Sequence, residues 1–396
     1  MKKVIGVLLL TIILLLCGGA YFFFTKLPQV FKEQQEKIVE EEIEQIPYKE
    51  VQIGEDGLSS KLYYNTYSDE EKLAYREILQ GVLDHDETIT IHTTSHEKAF
   101  DIFEDVIKDH GEIFWCDGEV ETVTYEEPET YIEMEISYNF SKEERVEKQG
   151  IIDNEIDNII LQIDPYWSEY EKVLFVYRYL VLNTDYDMSA PDNQNIYSVF
   201  GNKVSVCAGY AKAFQVLMER LGIPASYVIG IAREENHAWN IVTCEGQNYF
   251  VDVTWGDPIF TGESPAIPNQ ESYVIYDYMC TSYEQMSKTH TFEEVERLPA
   301  CESMACNYYV RNGLYHDAYD PGYAMEVLNQ SINNRMNEYV FKYSNEAAYQ
   351  GAQPDLINNV IPTVASNLAA QLGYSQVEYY YMDDTELNKV TIFWQY

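Results

Sequence analysis

The sequence predicts an α+β protein: a central antiparallel sheet with a helix packed on it, two smaller flanking α+β units, and an N-terminal membrane-spanning helix. Three observations predict this. Segments with apolar residues at helical spacing are set apart from segments that alternate like half-buried strands. The 396 residues exceed one ordinary domain, so two or three are expected. The run from Val4 to Phe24 carries no charge and is about long enough to cross a bilayer as a helix.

Taken in order, residues 1–27 read as a signal anchor. The apolar run is longer than a signal-peptide core of about 7 to 15 residues. Leu16 is bulky where a lipoprotein signal at Cys17 wants a small residue. The short leading tail favours an N-inside topology with the body outside the cell at the membrane. Residues 28–46 form a charged helical stalk that stops at Pro47. Residues 47–142 form a first α+β unit. Ser68 and Glu71 make a capping-box pattern that opens a helix to about Val82. ETITIHTT and TYIEMEISYNF alternate like strands around a helix containing Ala99, Phe103 and Val106. Residues 143–300 hold two helices, over IIDNEIDNIILQI and SEYEKVLFVYRYLVLNT, and then the central segment. Residues 301–396 form a third unit. It has helices near 323–337 and 355–372, a strand EYVFKYS, and a closing hairpin of VEYYYM and KVTIFWQY.

Charge narrows the function classes. Lys and Arg number 26 against 66 Asp and Glu, a formal charge of −40. Nucleic acid is excluded as a partner, because phosphates need a basic surface. Anionic headgroups are disfavoured for the same reason. Seven cysteines are few for a stapled secreted fold, although Cys301 and Cys306 are spaced for a local bridge. No C-x-x-C pair exists, so no zinc knuckle is expected, and no cofactor or metal is called for. Asp383-Asp384 reads as a solvated turn, not a calcium site.

The chemistry concentrates in VCAGYAKAFQVLMERLGIPASYVIGIAREENHAWNIVTCEGQNYFVDVTWGDP. Cys207 precedes Ala211, Phe214, Leu217 and Met218, which share a helix face that Gly222 and Pro224 end. The cysteine therefore opens a helix, where the dipole and free N–H groups favour a thiolate. Gly209 and Ala211 are small enough to let a strand approach. HAWNIVT and NYFVDVTW flank Cys244-Glu245-Gly246 as a hairpin. Whether its turn centres between 244 and 245 or one residue later, His237 and Asp252 fall on one sheet face. Trp239 and Phe250 share that face and would wall it from water. The pattern suits a thiol nucleophile at Cys207, a proton carrier at His237 and an orienting carboxylate at Asp252. The Cys207 N–H supplies one oxyanion donor, and the loop around Tyr186 and Gln194 is where a second is sought.

At these residues the sequence resembles the transglutaminase-like superfamily. VCAGYAKAF, HAWNIV and YFVDVTWGDP look like its three motifs, and the similarity extends from about 165 to 301, through NTDYD, KTHTF and LPAC. The resemblance implies a papain-like core with Cys207, His237 and Asp252 as the triad. It points to bacterial, often membrane-attached proteins of that group. Two positions depart from many relatives: Ala208 stands where an acidic residue follows the cysteine, and Tyr177-Arg178-Tyr179 replaces a His-Asp-Tyr triplet. The resemblance implies a cysteine peptidase or acyltransferase acting on a protein or peptide, cell-wall peptides included. A protein cross-linker and a catalytically quiet binding scaffold are the alternatives.

Overall fold

The computed structural model describes residues 26–43, 46–93, 95–126, 130–258 and 273–395. The uncharged run Val4–Phe24 lies outside them. Among the described residues, no helix is long and apolar enough to cross a membrane. The chain divides into two compact units. The smaller comprises the described residues up to Gly54 with Ser68–Phe103 and Val120–Ile136; the larger comprises Glu55–Tyr67, Glu104–Glu119 and the chain from Ser137 onward.

The smaller unit begins with the charged helix α1 (Leu27–Ile43). Helix α2 (Asp69–Asp84) starts at the predicted capping box: the Ser68 hydroxyl accepts from the Glu71 N–H, and the Glu71 carboxylate accepts from the Ser68 N–H. The next elements are β1 (Thr88–Ile91), α3 (His96–Asp109), β2 (Cys116–Tyr125) and β3 (Tyr131–Tyr138). Their sheet has the order β1-β3-β2. Strand β2 was not predicted. Its valines, Val120 and Val123, point to opposite sheet faces, so it lacks the alternation that reveals a strand.

In the larger unit, α4 (Lys142–Ile160) and α5 (Glu169–Asn183) lead to α6 (Cys207–Arg220). Helix α4 starts nine residues before the predicted 151, because Ser141 and Glu144 form another capping box. Four antiparallel strands follow: β4 (Ala225–Ala232), β5 (Glu235–Cys244), β6 (Gln247–Val251) and β7 (His290–Phe292), in the order β6-β5-β4-β7. One face packs Val228, Trp239, Ile241 and Phe250 against Tyr278 and Met286. On the other, Tyr227 and Ala238 receive Ala211 of α6. Alternation along β4 and β5 sorts these residues to their faces.

The C-terminal part adds β8 (Tyr315–His316), α7 (Pro321–Asn333), β9 (Glu338–Tyr343), α8 (Glu346–Asp355), α9 (Ile361–Leu372), β10 (Tyr379–Asp384) and β11 (Lys389–Trp394). Its sheet runs β8-β9-β11-β10 around a core that includes Leu328, Phe341, Leu356, Val364 and Trp394. The helix predicted from about 355 is α9, joined to α8 by a wide turn at Leu356–Val360.

Candidate active site

Cys207 is the first residue of α6. Serine side chains cap α2, α4 and α5, but Val206 offers α6 no side-chain cap. The first-turn N–H groups and the positive end of the helix dipole therefore face the thiol without a competing side-chain oxygen. A Cβ on Gly209 would sit 2.0 Å from Ser205 Oγ, in the two-residue strand Val204–Ser205, and 3.1 Å from Asn193 O, so the glycine admits that short strand and the loop ahead of it. Ala211 is the residue that meets the sheet.

The hairpin takes the later of the two predicted registers. Ile241 pairs with Phe250 and Cys244 with Gln247, so the turn centres between Glu245 and Gly246. His237 and Asp252 are diagonal neighbours on the Trp239 face. His237 Nε2 lies 2.9 Å from Asp252 Oδ2, and the two side chains are 7% and 0% exposed. Helix α6 packs on the opposite face, with Ala211 and Cys207 against Tyr227 and Ala238, and Cys207 and His237 line one cavity. With Nε2 given to Asp252, Nδ1 is the ring nitrogen left open, and the Cys207 thiol lies close enough to His237 to act on its protonation.

Burial alone would lower the His237 pKa. The charge and hydrogen bond of Asp252, with the Cys207 contact, override it and raise the pKa to about 10. Burial would raise Asp252, but the two histidines around it hold its carboxyl well below the usual range. Oδ1 of Asp252 accepts from the Trp255 N–H at 3.2 Å.

Two cavities, of about 680 and 570 Å³, open on either side of His237 and share Tyr186, Glu235, Asn236 and His237 as a wall. The larger holds Cys207 and is also lined by Asn193 and Gln194, within the loop where a second oxyanion donor was sought. Apart from His237, its titratable charged residues are Glu234, Glu235 and Glu293, all acidic. Arg233 and Glu234 join β4 to β5 with φ of 46° and 74°.

One residue escaped the sequence reading. His290 Nε2 lies 3.2 Å from the same Asp252 oxygen, and the His290 side chain is fully buried. A lone histidine in a three-residue strand has no local signature; only the β4–β7 pairing brings it here. His237, Asp252 and His290 present ligand-type atoms within 4.8 Å of one another, and the two hydrogen bonds to Oδ2 account for that spacing. Cys301 and Cys306 are both free, which corrects the predicted local bridge. Cys306 instead accepts from Arg311 at 3.2 Å.

Residues 162–253 match the family model described as the transglutaminase-like superfamily, and that range holds Cys207, His237 and Asp252. No curated protein matches the chain. Among solved structures, a TGase shares 17% identity over 39% of this chain and 48% of its own, with a TM-score of 0.26. A candidate cysteine protease from Cytophaga hutchinsonii shares 15% over 34% and 61%, with a TM-score of 0.24. A candidate protease from Parabacteroides distasonis shares 11% over 33% and 35%, with a TM-score of 0.22. The chain thus spans about half the length of the first of these structures, the TGase.

Proposed function

We propose that this chain, with its transglutaminase-like segment, is a cysteine acyl-transfer enzyme. It hydrolyses peptide or amide bonds through a thioester on Cys207, with its body held outside the cell by the Val4–Phe24 anchor. The observation that carries this reading is the His237 imidazole, bonded to Asp252 and lining one cavity with the Cys207 thiol.

The chemistry follows from those contacts. The thiol proton passes to His237 Nδ1, and the sulfur attacks the substrate carbonyl carbon. The oxyanion that forms takes the Cys207 N–H at the uncapped helix end. Collapse breaks the C–N bond, and the imidazolium gives its proton to the departing amine. Water then attacks the thioester, losing a proton to His237, and an acid leaves as the thiol is restored. Asp252 keeps the ring in the tautomer that presents Nδ1 throughout.

One observation favours an amine as second acceptor: the all-acidic lining of the thiol cavity attracts protonated amines. Incubating the purified chain with a peptide library and a tagged amine, read by mass, separates cleavage from amine incorporation. An electrophilic thiol probe should label Cys207 selectively, and Cys207→Ala should abolish both reactions. Labelling no faster than that of an unfolded-chain thiol would leave the scaffold reading in place.

A further inference from the structure

We propose that His290 is a positioning residue: by donating a second hydrogen bond to Asp252 Oδ2, it holds the carboxylate in the orientation that serves His237. The inference rests on the acyl-transfer reading for its consequence, but not for its test. Asp252, held ionised, is acceptor only, so any ring nitrogen bonded to it must be a donor. His237 Nε2 at 2.9 Å and His290 Nε2 at 3.2 Å both reach Oδ2, while Oδ1 takes the Trp255 N–H at 3.2 Å. The carboxylate is thus held from three directions, and only one of them is the reacting imidazole.

Packing does not explain a histidine at this position. The ring is caged by Trp239, Trp255 and Tyr278 at centroid distances of 5.0, 4.5 and 5.3 Å. A phenylalanine would fill such a cage without the cost of burying a polar ring. The imidazole is itself braced from behind: Nδ1 lies 2.8 Å from Thr289 Oγ1, which lies 3.1 Å from the Tyr278 hydroxyl. The backbone makes room for it as well. A Cβ on Gly230 would fall 2.3 Å from Thr291 O and 2.6 Å from Trp239, so glycine lets β7 and Trp239 close over this face. The whole arrangement has one acid as its target.

The test reads the His237 imidazole by NMR titration in the full chain, with the melting temperature as a check on folding. His290→Phe removes the donor and keeps the bulk; the freed carboxylate should turn away and the His237 midpoint should fall by at least about one unit. His290→Gln, whose amide can donate to Oδ2, should restore most of that shift. Thr289→Val, which removes only the brace, should give a smaller fall and covers the case in which His290→Phe does not fold. An unmoved midpoint in His290→Phe overturns the proposal, as does an equal fall in His290→Phe and His290→Gln at unchanged melting temperature. If His290→Phe does not fold, an unmoved midpoint in Thr289→Val overturns it. Labelling of Cys207 in the parent chain is measured separately, so a failed enzyme reading shows itself as an inert thiol with the His237 shifts intact.

Discussion

Two buried aspartates in the larger unit look alike until their partners are compared. Asp252 receives two imidazole nitrogens. Asp277 receives two ammonium groups, Lys342 on β9 at 2.8 Å and Lys389 on β11, with the Tyr309 hydroxyl at 3.2 Å. Both carboxyls are held well below the usual range, because nearby positive charge outweighs the cost of burial. The Asp277 cluster ties the C-terminal sheet to the chain leading to β7. The His237 imidazole can gain and lose a proton, and the cavity that holds the Cys207 thiol adjoins it; the second cavity is lined by His237 and by Asp277 and Lys389 alike. A buried, perturbed carboxylate does not by itself mark a reactive site. An exchangeable proton beside a nucleophile does.

Substitutions can break this comparison. The largest effect is expected from Asp252→Asn, which keeps the shape but removes the charge and the tautomer control. Electrophile labelling of Cys207 should slow by about 10² to 10⁴-fold while the chain stays folded, as followed by intact mass over time. Asp277→Ala should do the reverse. It strands two buried ammonium groups and should cost about 3 to 5 kcal/mol in a denaturant titration. Labelling per folded molecule should stay close to the parent rate. If Asp277→Ala silences the thiol at full stability, the two clusters are not separable as described.

A pH series sharpens the contrast. His237 is raised in the folded state, so its stabilising share is complete below its ordinary value of about 6.5 and is lost as pH rises through about 10. Asp252 is lowered, so its share is present above about 3.8 and is lost as pH falls. Stability measured against pH should therefore show an alkaline decline that Asp252→Asn flattens and Asp277→Ala leaves in place. The smallest effect concerns the β4–β5 turn, where two residues other than glycine hold positive φ. Replacing Arg233-Glu234 by Asn-Gly should raise stability by about 0.5 to 1 kcal/mol in thermal melts. A loss of stability would show that the Arg233–Glu386 contact at 3.0 Å matters more than the backbone.

The two hairpins show what local sequence can carry. Glu245-Gly246 announces its turn with a glycine, and both registers open to that turn place residues 237 and 252 on one face. The His237–Asp252 pairing was legible for that reason. The Arg233-Glu234 turn has no such residue, and its conformation emerges only because β4 and β5 pair on both sides of it. The capping box at Ser68 was legible by its Ser-x-x-Glu pattern; the same pattern at Ser141 and Ser168 went unread, which is why α4 was expected to start late.

What the sequence determined by itself are the features set by period and short spacing. They are the helix that opens at Cys207, the parity of the following hairpin, and the segregation of helical and alternating segments. Backbone geometry enforces these within a few residues, so they survive without knowledge of the rest of the chain. Tertiary structure alone decided that α6 packs on the face opposite Trp239 and brings Cys207 to the cavity that His237 lines. It also set His290 against Asp252 across 38 residues of chain, and gathered Lys342 and Lys389 on Asp277. Such contacts form only when distant strands pair and bury their polar ends together, and no short stretch of sequence encodes which ends will meet.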